Sequence, residues 1–302
     1  MRKKIDTAKD NIAEYMDFFR CPLCGSEFDL GMGGNNYIKC RNSHTYDISK
    51  KGYINLFNGY TKITKTYDRR LFSARKIISD AGLYGGLTDK LCGIMRDLAI
   101  RGAILDAGCG CGNLTFDIYK NNAAEPVFAV DLSKDGIDFA AGCFCGDNLL
   151  WIVGNLNNLP FAGNKFGVIL NIMSPANYAE FKRVLKPGGV LLKVMPDADY
   201  LKELRRFIYG GNDKNEYSNR EVLNNLGEAA ADLNMRLADT DITDLKYTRN
   251  ISGGDIAALF DMTPLTADID SRGEVRERLI RDAPSGLTVT LAFKIAAVFC
   301  GA

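Results

Sequence analysis

Histidine is almost absent from this sequence, because His44 is the only one among 302 residues. Any role for His44 therefore leaves the rest of the chain without an imidazole for acid–base chemistry. Long apolar runs are absent too: the longest lies near the C-terminus, is interrupted by Lys294 and is too short to cross a bilayer. The first residues, Met-Arg-Lys-Lys, lead into a polar stretch and not into the apolar core of a secretory signal. We therefore expect a cytoplasmic protein with no membrane partner.

An excess of charge is also missing, since the net charge is +1 and identifies no partner. What is present near the N-terminus is a set of metal-binding residues with the spacing C-x2-C-x15-C-x3-H. The set consists of Cys21, Cys24, Cys40 and His44. Zn²⁺ prefers four thiolate or imidazole ligands in a tetrahedron, and two short turns can supply one pair each. Pro22 and Gly25 favour a tight turn after the first cysteine. The pattern predicts a structural zinc site, and the remaining cysteines are expected to be free thiols.

Strand and helix patterns alternate from residue 103 onward. Short apolar runs occur at 103–106, 126–131, 150–153, 167–171 and 190–195, with helical patterns at 113–121, 134–141 and 176–185. Two further strand-like runs, 287–293 and 295–300, lie near the C-terminus. This alternation is typical of β-α-β units, and it predicts an α/β fold with a doubly wound, mostly parallel sheet.

A glycine-rich loop follows the first strand of this series. Asp106 ends the strand, and Gly108, Gly110 and Gly112 follow in the spacing G-x-G-x-G. Glycines let the backbone turn sharply and approach a ligand at the N-terminus of the next helix. The spacing differs from the G-x-G-x-x-G of dinucleotide-binding proteins. Asp131 ends the second strand, where an acid can accept hydrogen bonds from ribose hydroxyls.

The strings ILDAGCGCG, AVDLS, LPF and RVLKPGG resemble the motifs of class I S-adenosylmethionine-dependent methyltransferases, whose fold is Rossmann-like. The resemblance implies that the glycine loop holds the methionine and ribose parts of S-adenosylmethionine, that Asp131 binds the ribose, and that Asn155 lies by the adenine. With the zinc motif and the strings HTYDISKKGYINL and DAGLY, the chain is similar over roughly residues 19–300 to the RlmA family of 23S ribosomal RNA (guanine-N1)-methyltransferases. The cofactor-binding residues implied are Tyr84, Asp106, Gly108, Gly110, Cys111, Gly112, Asn113, Asp131, Asn155 and Tyr200. The family also suggests a homodimer.

Basic and aromatic residues are interleaved after the zinc motif. The cations are Lys50, Lys51, Lys62, Lys65, Arg69, Arg70, Arg75 and Lys76, and the rings are Tyr53, Phe57, Tyr60, Tyr67 and Phe72. Cations bind phosphates and rings stack on unpaired bases, so this stretch indicates an RNA hairpin as partner. The alternative is a solvated linker whose aromatic residues pack in the core. The resulting division is a charged leader (1–17), a zinc-binding RNA-recognition domain (18–57), a basic linker with helices (58–100) and a methyltransferase domain (101–302).

Candidates for substrate positioning follow the fourth strand, at the sheet edge where such folds bind substrates. They are Asn171, Ser174, Pro175 and Asn177. Guanine N1 must lose a proton when it is methylated, and no carboxylate stands out as the base. Polar groups here are expected to grip the edge of the base, with Pro175 as an apolar platform.

Two other functions remain open on the sequence alone. One is an S-adenosylmethionine-dependent methyltransferase of a small molecule, with the zinc motif as a structural addition. The other is a non-enzymatic zinc module that binds RNA or protein and retains a cofactor fold. Methyl transfer to purified RNA separates the first from an RNA methyltransferase, and binding of S-adenosylmethionine separates the second.

Overall fold

The computed structural model describes residues 2–29, 36–57, 59, 69–122, 124–210, 218–263 and 272–301. The helices in this part are α1 (Lys4–Glu14), α2 (Arg69–Asp80), α3 (Gly85–Asp97), α4 (Asn113–Asn121), α5 (Lys134–Cys143), α6 (Tyr178–Val184), α7 (Lys202–Tyr209), α8 (Arg220–Asp232), α9 (Ile256–Asp261) and α10 (Arg272–Asp282). The strands are β1 (Tyr37–Lys39), β2 (Thr45–Asp47), β3 (Tyr53–Asn55), β4 (Ile104–Ala107), β5 (Val127–Asp131), β6 (Leu149–Val153), β7 (Phe166–Ile172), β8 (Leu185–Pro196), β9 (Met235–Arg236), β10 (Ile242–Ile251) and β11 (Leu287–Cys300). None of these helices is long and apolar enough to cross a membrane.

The predicted α/β fold with a mostly parallel sheet is confirmed. Among the described residues the large sheet has the strand order β10-β11-β8-β7-β4-β5-β6-β3, and β9 also pairs with β11. The strands from β8 to β3 in this order run parallel, whereas β11 is antiparallel to β8, β9 and β10. The carboxyl ends of the parallel strands therefore meet along one edge, which is where this class of sheet binds ligands.

The two late strand-like runs form one strand, β11, and not two. Lys294, which interrupts the apolar run in the sequence, does not end the strand because its ammonium reaches the sheet surface and lies 2.6 Å from the Asp244 carboxylate on β10. A charged side chain on one face leaves the backbone ladder intact, since successive side chains of a strand point to opposite faces.

Apolar side chains fill a core on each face of the large sheet. Ile104 and Leu105 are neighbours on β4, and they enter different cores because of the strand alternation. One core receives Leu87 of α3 and Ile137 of α5, and the other receives Phe181 of α6. This double cover is what a parallel sheet requires, since both of its faces must be kept from water.

The N-terminal part is joined to the large sheet rather than set apart from it. β1 and β2 form an antiparallel pair, but β3, which lies inside the predicted 18–57 domain, pairs in parallel with β6 at the sheet edge. The predicted leader contains α1, where the buried amide of Asn11 donates to the carbonyl oxygens of Gly146 and Leu149 at 3.1 and 3.0 Å. Helix α1 and β3 thus cover β6, which would otherwise end the sheet.

Candidate metal centre and cofactor site

The four predicted zinc ligands converge on one point. The ligand atoms of Cys21, Cys24, Cys40 and His44 all lie within 4.8 Å of one another. The Sγ atoms of Cys24 and Cys40 are 3.8 Å apart, and His44 Nδ1 lies 3.5 and 3.4 Å from the Sγ atoms of Cys21 and Cys40. Zinc–ligand bonds of about 2.3 Å to sulfur and about 2.0 Å to nitrogen give tetrahedral edges of about 3.8 and about 3.5 Å. The residues therefore fit a Cys₃His zinc ion with Nδ1 as the imidazole ligand.

Two tight turns bring these ligands together. The Gly25 N–H donates to the Cys21 carbonyl at 2.8 Å, and the Ser43 N–H donates to the Cys40 carbonyl at 2.8 Å. Both Gly25 and Ser43 have the left-handed backbone that such turns need, with φ of +71° and +67°. Each turn contributes one pair of ligands, as the spacing in the sequence predicts.

Hydroxyl groups surround the cysteine sulfurs. The Ser26 hydroxyl lies 3.1 Å from Cys24 Sγ, and the Tyr46 hydroxyl lies 3.2 Å from Cys21 Sγ. Hydrogen bonds from the Ser26 side chain and backbone lower the pKa of the Cys24 thiol to about 5. Because the thiolate is the form that binds metal, these contacts favour a zinc site and not a thiol cluster.

The glycine loop lies at the carboxyl end of β4, and its shape requires glycine at two positions. Gly108 has φ of +90°, and a Cβ there would lie 1.8 Å from Ser174 Oγ. Gly112 has φ of +75°, and a Cβ there would lie 2.4 Å from the Trp151 ring. Side chains are thus excluded by both backbone conformation and space, and the bare loop leads into the N-terminus of α4.

Asp131 and Asp106 flank this loop in different ways. Both carboxylate oxygens of Asp131 accept backbone N–H bonds, from Gly110 at 2.8 Å and from Ser133 at 2.7 Å. One oxygen of Asp106 accepts from the Thr115 hydroxyl at 2.5 Å. Burial raises the pKa of Asp131, and it raises that of Asp106 to about 7. Asp131 is therefore fixed to the loop, whereas Asp106 is a buried acid whose charge is poorly satisfied by the protein.

Two buried oxygen atoms at the loop have no hydrogen-bond partner among the described residues. They are Oδ1 of Asp106 and Oδ1 of Asn113. A buried acceptor without a donor is costly, so a site for a ligand with N–H or O–H groups is the simplest account of both. S-adenosylmethionine carries such groups, namely an ammonium and the ribose hydroxyls. The bare glycine backbone and these oxygens therefore fit the cofactor that the sequence predicts.

Aromatic and basic side chains lie opposite the loop. The hydroxyls of Tyr84 and Tyr200 are 2.8 Å apart, so the two predicted cofactor residues meet in space although they are distant in sequence. Arg75 of α2 approaches Gly110, with its Nη1 3.7 Å from where a Cβ would stand. Its Nε donates to the Met262 carbonyl at 3.1 Å. Arg75 lies near the loop, although in the sequence it stands out only as one of the cations of the basic stretch.

The predicted substrate residues lie at the same sheet edge, but Asn171 does not face outward. It is fully buried, its amide nitrogen donates to the carbonyls of Ala107 and Pro175 at 2.8 and 3.0 Å, and its oxygen accepts from Lys193 Nζ at 2.5 Å. The amide is therefore occupied by the protein. The contact of Asn171 with a base stays a prediction; in the structure its amide connects β4, Lys193 and the 174–177 loop.

Lys193 is the functional candidate that sequence reasoning missed. It lies on β8 with 5% of its surface exposed, and its ammonium also donates to the Ser174 carbonyl at 2.6 Å. Burial lowers the pKa of Lys193 to about 8. Buried lysines are rare, and a lysine inside the apolar run VLLKVM was the available signal.

The other predicted side chains at this edge also have structural partners. Asn177 caps α6, its oxygen accepting from the Glu180 N–H at 3.1 Å, and Asn155 accepts from the Asn157 N–H at 2.9 Å. Pro175 is exposed, and the Ser174 hydroxyl packs on Gly108. Ser174 is thus the member of the predicted set whose side chain lies against the glycine loop.

The basic and aromatic stretch is only partly described, since Tyr60, Lys62, Lys65 and Tyr67 lie outside the described residues. Tyr53 and Phe72 are buried, so stacking on bases is wrong for these two rings, which pack in the core as the alternative predicted. Lys51 pairs with Asp138 and Lys76 with Asp80. Arg69 and Arg70 are exposed at the start of α2.

Comparison with known proteins agrees with this geometry. The family model described as "RlmA, N-terminal" matches residues 19–65, which include the zinc ligands. The model described as "Methyltransferase domain" matches residues 104–189, which include the glycine loop and the 174–177 loop. The two matches cover the metal centre and the cofactor edge separately.

Similar proteins extend the match over most of the chain. A putative 23S rRNA (guanine-N1)-methyltransferase of Bacillus subtilis is 37% identical over 82% of this chain and 86% of its own length. The 23S rRNA (guanine(748)-N1)-methyltransferase of Streptomyces fradiae is 30% identical over 65% of this chain and 68% of its own length. With its zinc ribbon, its glycine loop and this extent of identity, the chain belongs to the RlmA family of 23S rRNA (guanine-N1)-methyltransferases.

Proposed function

We propose that this protein transfers a methyl group from S-adenosylmethionine to N1 of a guanine in a hairpin of 23S ribosomal RNA. The observation that carries the proposal is the combination of a Cys₃His metal centre with a glycine-loop cofactor edge, in a chain whose N-terminal part joins the large sheet through β3 and whose curated relatives are named for this reaction. The zinc is structural, since its four protein ligands complete a tetrahedron and leave no position for a substrate.

Different residues of the site are expected to bind different parts of the cofactor. Gly108, Gly110 and Gly112 would hold its methionine and ribose parts, and the orphaned Asp106 oxygen would accept a hydrogen bond from its ammonium. Asp131 lies where the ribose hydroxyls are expected, and Asn155 follows β6 on the adenine side. When bound, S-adenosylmethionine supplies an electrophilic methyl group on a positively charged sulfur. Everything else required for the reaction must come from how the chain holds the guanine.

The 174–177 loop is the part of the chain placed to hold that guanine. The Ser174 hydroxyl packs against Gly108, so the loop touches the cofactor cradle directly. Lys193 and Asn171 hold the Ser174 and Pro175 carbonyls from below, which fixes the loop without exposing either side chain. Proximity and orientation then supply much of the rate increase.

The proton on guanine N1 has no imidazole to accept it, because His44 belongs to the metal centre. Near neutral pH this proton exchanges with water, so the protein needs to favour the deprotonated base rather than to carry the proton itself. A buried ammonium at Lys193, at the strand end next to the substrate loop, contributes a positive potential of the sign that stabilises charge developing on the guanine ring.

We further propose a cytoplasmic location and a homodimeric assembly. Zinc-binding cysteines stay reduced in the cytoplasm, and all nine cysteines are free thiols in the structure. The dimer rests on the family resemblance alone. Sedimentation of the purified protein at several concentrations tests it.

Primer extension on 23S ribosomal RNA tests the proposed function. An N1 methyl group blocks Watson–Crick pairing, so reverse transcriptase stops one base before the target. RNA treated with protein and S-adenosylmethionine should give a new stop, and RNA treated with either alone should not. If no stop appears while the protein binds the cofactor, the reaction proposed here is excluded and a small-molecule acceptor becomes the better account.

A further inference from the structure

Three arginines converge on one buried carboxylate beside the cofactor edge. Asp261 ends α9, and its side chain is 7% exposed. Arg70 of α2 lies 3.1 Å from it, and Arg272 and Arg276 of α10 lie at 3.5 and 3.1 Å. Among the described residues, three positive charges around this one negative charge leave a local excess of two.

One of these arginines is sufficient to neutralise the acid. Arg276 donates from Nε to both carboxylate oxygens, at 3.3 and 3.1 Å, and its side chain is 28% exposed. Arg70 and Arg272 approach with one nitrogen each, and their side chains are 65% and 39% exposed. The buried ion pair therefore accounts for Arg276. The Arg70 side chain remains mostly exposed, and the partly exposed Arg272 guanidinium lies over the Phe260 ring.

The acids of α10 do not offset this excess. Glu274 and Glu277 are the acidic residues of α10 before its last residue, Asp282. At 100° per residue they point about 140–160° away from Arg272, whereas Arg276 is only about 40° away. Glu274 and Glu277 therefore lie away from Arg272 on the helix surface.

The arginine cluster lies close to the glycine loop. Met262 follows Asp261, and its carbonyl accepts from Arg75, whose guanidinium lies against Gly110. The Arg75 side chain therefore connects the arginine cluster to the glycine loop. The 174–177 loop lies against Gly108 of the same glycine loop, so a nucleic acid with its target base there would have its backbone near this edge of the sheet.

We propose that Arg70 and Arg272, held by Asp261, bind phosphate groups of the RNA strand that carries the methylated guanine. This inference rests on the proposed function, since it names a contact with the same substrate. Guanidinium groups suit phosphate because their N–H donors match two of its oxygens. The Asp261 carboxylate sets the spacing of Arg70 and Arg272, and Arg276 neutralises its negative charge.

Binding of a 23S hairpin RNA to Arg70→Gln and Arg272→Gln proteins tests the proposal. Each variant should weaken RNA binding by about three- to tenfold at 0.1 M salt, and should reduce the slope of log K against log salt by about 0.7–0.9, the value for one lost phosphate contact. Affinity for S-adenosylmethionine should stay within about twofold of wild type. Arg281→Gln is the matched control, because Arg281 lies on the same helix, loses the same charge, and pairs with Asp282 away from the cluster.

The outcomes separate this proposal from its alternatives. Wild-type RNA affinity and salt slope in both variants, with a lower melting temperature, would make the cluster a purely structural ion network and overturn the proposal. Weaker cofactor binding with unchanged RNA binding would overturn it in favour of a cofactor contact. Absence of RNA binding and methylation in the wild-type protein would instead refute the proposed function. The Arg70→Gln variant keeps the test valid if Arg272→Gln is unstable, because the Arg70 side chain is the more exposed.

Discussion

At the zinc centre every ligand atom belongs to a side chain, whereas at the glycine loop the surface offered to a ligand is largely backbone. The zinc ligands come from two short turns, with one small antiparallel pair of strands beside them. The loop is the end of a buried strand in a sheet with a core on both faces. The shape of the first site therefore depends on the metal, and the shape of the second depends on packing that exists without its ligand.

Removal of the metal gives the largest expected effect. Cys21→Ser, or chelation of the wild-type protein, should abolish zinc binding, which is worth about 10–16 kcal/mol in small zinc domains. Residues 21–48 should then become sensitive to protease, while affinity for S-adenosylmethionine stays within about threefold. Metal analysis, limited proteolysis and calorimetry measure the three quantities. Cys143→Ser is the control, because Cys143 is an exposed thiol outside the cluster. Loss of cofactor binding in Cys21→Ser would show that the two sites are not independent.

Gly112→Ala should impair the cofactor site and leave zinc binding intact. A side chain at φ of +75° and 2.4 Å from Trp151 costs about 2–5 kcal/mol from backbone strain and overpacking. We expect cofactor affinity or stability to fall by that amount, with the zinc content unchanged. Gly142→Ala is the matched control, since no atom lies within 4 Å of its Cβ position and it is in helix α5. The control should be neutral or more stable by up to about 1 kcal/mol. Equal cofactor affinity and stability in Gly112→Ala and Gly142→Ala would contradict a cofactor site formed by bare glycine backbone.

Lys193→Met should impair the substrate loop and leave cofactor binding intact. The change leaves the Asn171 oxygen and the Ser174 carbonyl without their buried donor, a cost of about 1–3 kcal/mol. Because these groups hold the substrate loop, kcat on RNA should fall by about 5- to 150-fold while cofactor affinity is kept. Lys186→Met, an exposed lysine on the same strand, should match wild type. A parallel loss of cofactor affinity in Lys193→Met would show that the loop and the cradle form one unit.

Asp106 has an effect that is seen only in the pH dependence of stability without cofactor. Burial raises the pKa of Asp106 to about 7, above the value of about 3.9 in the unfolded chain. Between pH 4 and 7 the folded protein keeps a proton that the unfolded chain releases, so stability falls as pH rises, by at most about 1.4 kcal/mol per unit, and levels off above 7. Asp106→Asn should reduce this slope in urea titrations at pH 5–8 and leave the part that the raised pKa of Asp131 contributes, whereas the exposed Asp147→Asn should leave the slope unchanged. An unchanged slope in Asp106→Asn would assign it to another group.

Contiguous patterns were sufficient to predict much of this molecule. The zinc ligands, β4 to β8 and the glycine loop each depend on residues close in sequence, where spacing and alternation are informative. Contacts between distant residues left no such pattern. The pairing of β3 with β6, the partners of Lys193 and the contact of Arg70 with Asp261, 191 positions away, depend on how the elements meet in the fold. The burial of Asn171 left no such pattern for the same reason, because its bonds to Ala107 and Lys193 join residues that are distant in sequence.

The parallel pairing of β3 with β6 has a practical consequence for dividing this protein into pieces. A fragment beginning after residue 57 would lose β3 and α1, and with them the cover of β6. It would expose a strand edge and the apolar side chains that pack against Phe19 and Ile12, which favours aggregation. A methyltransferase core from this chain should therefore be produced with its N-terminal region attached, and recombination with relatives should exchange both parts together.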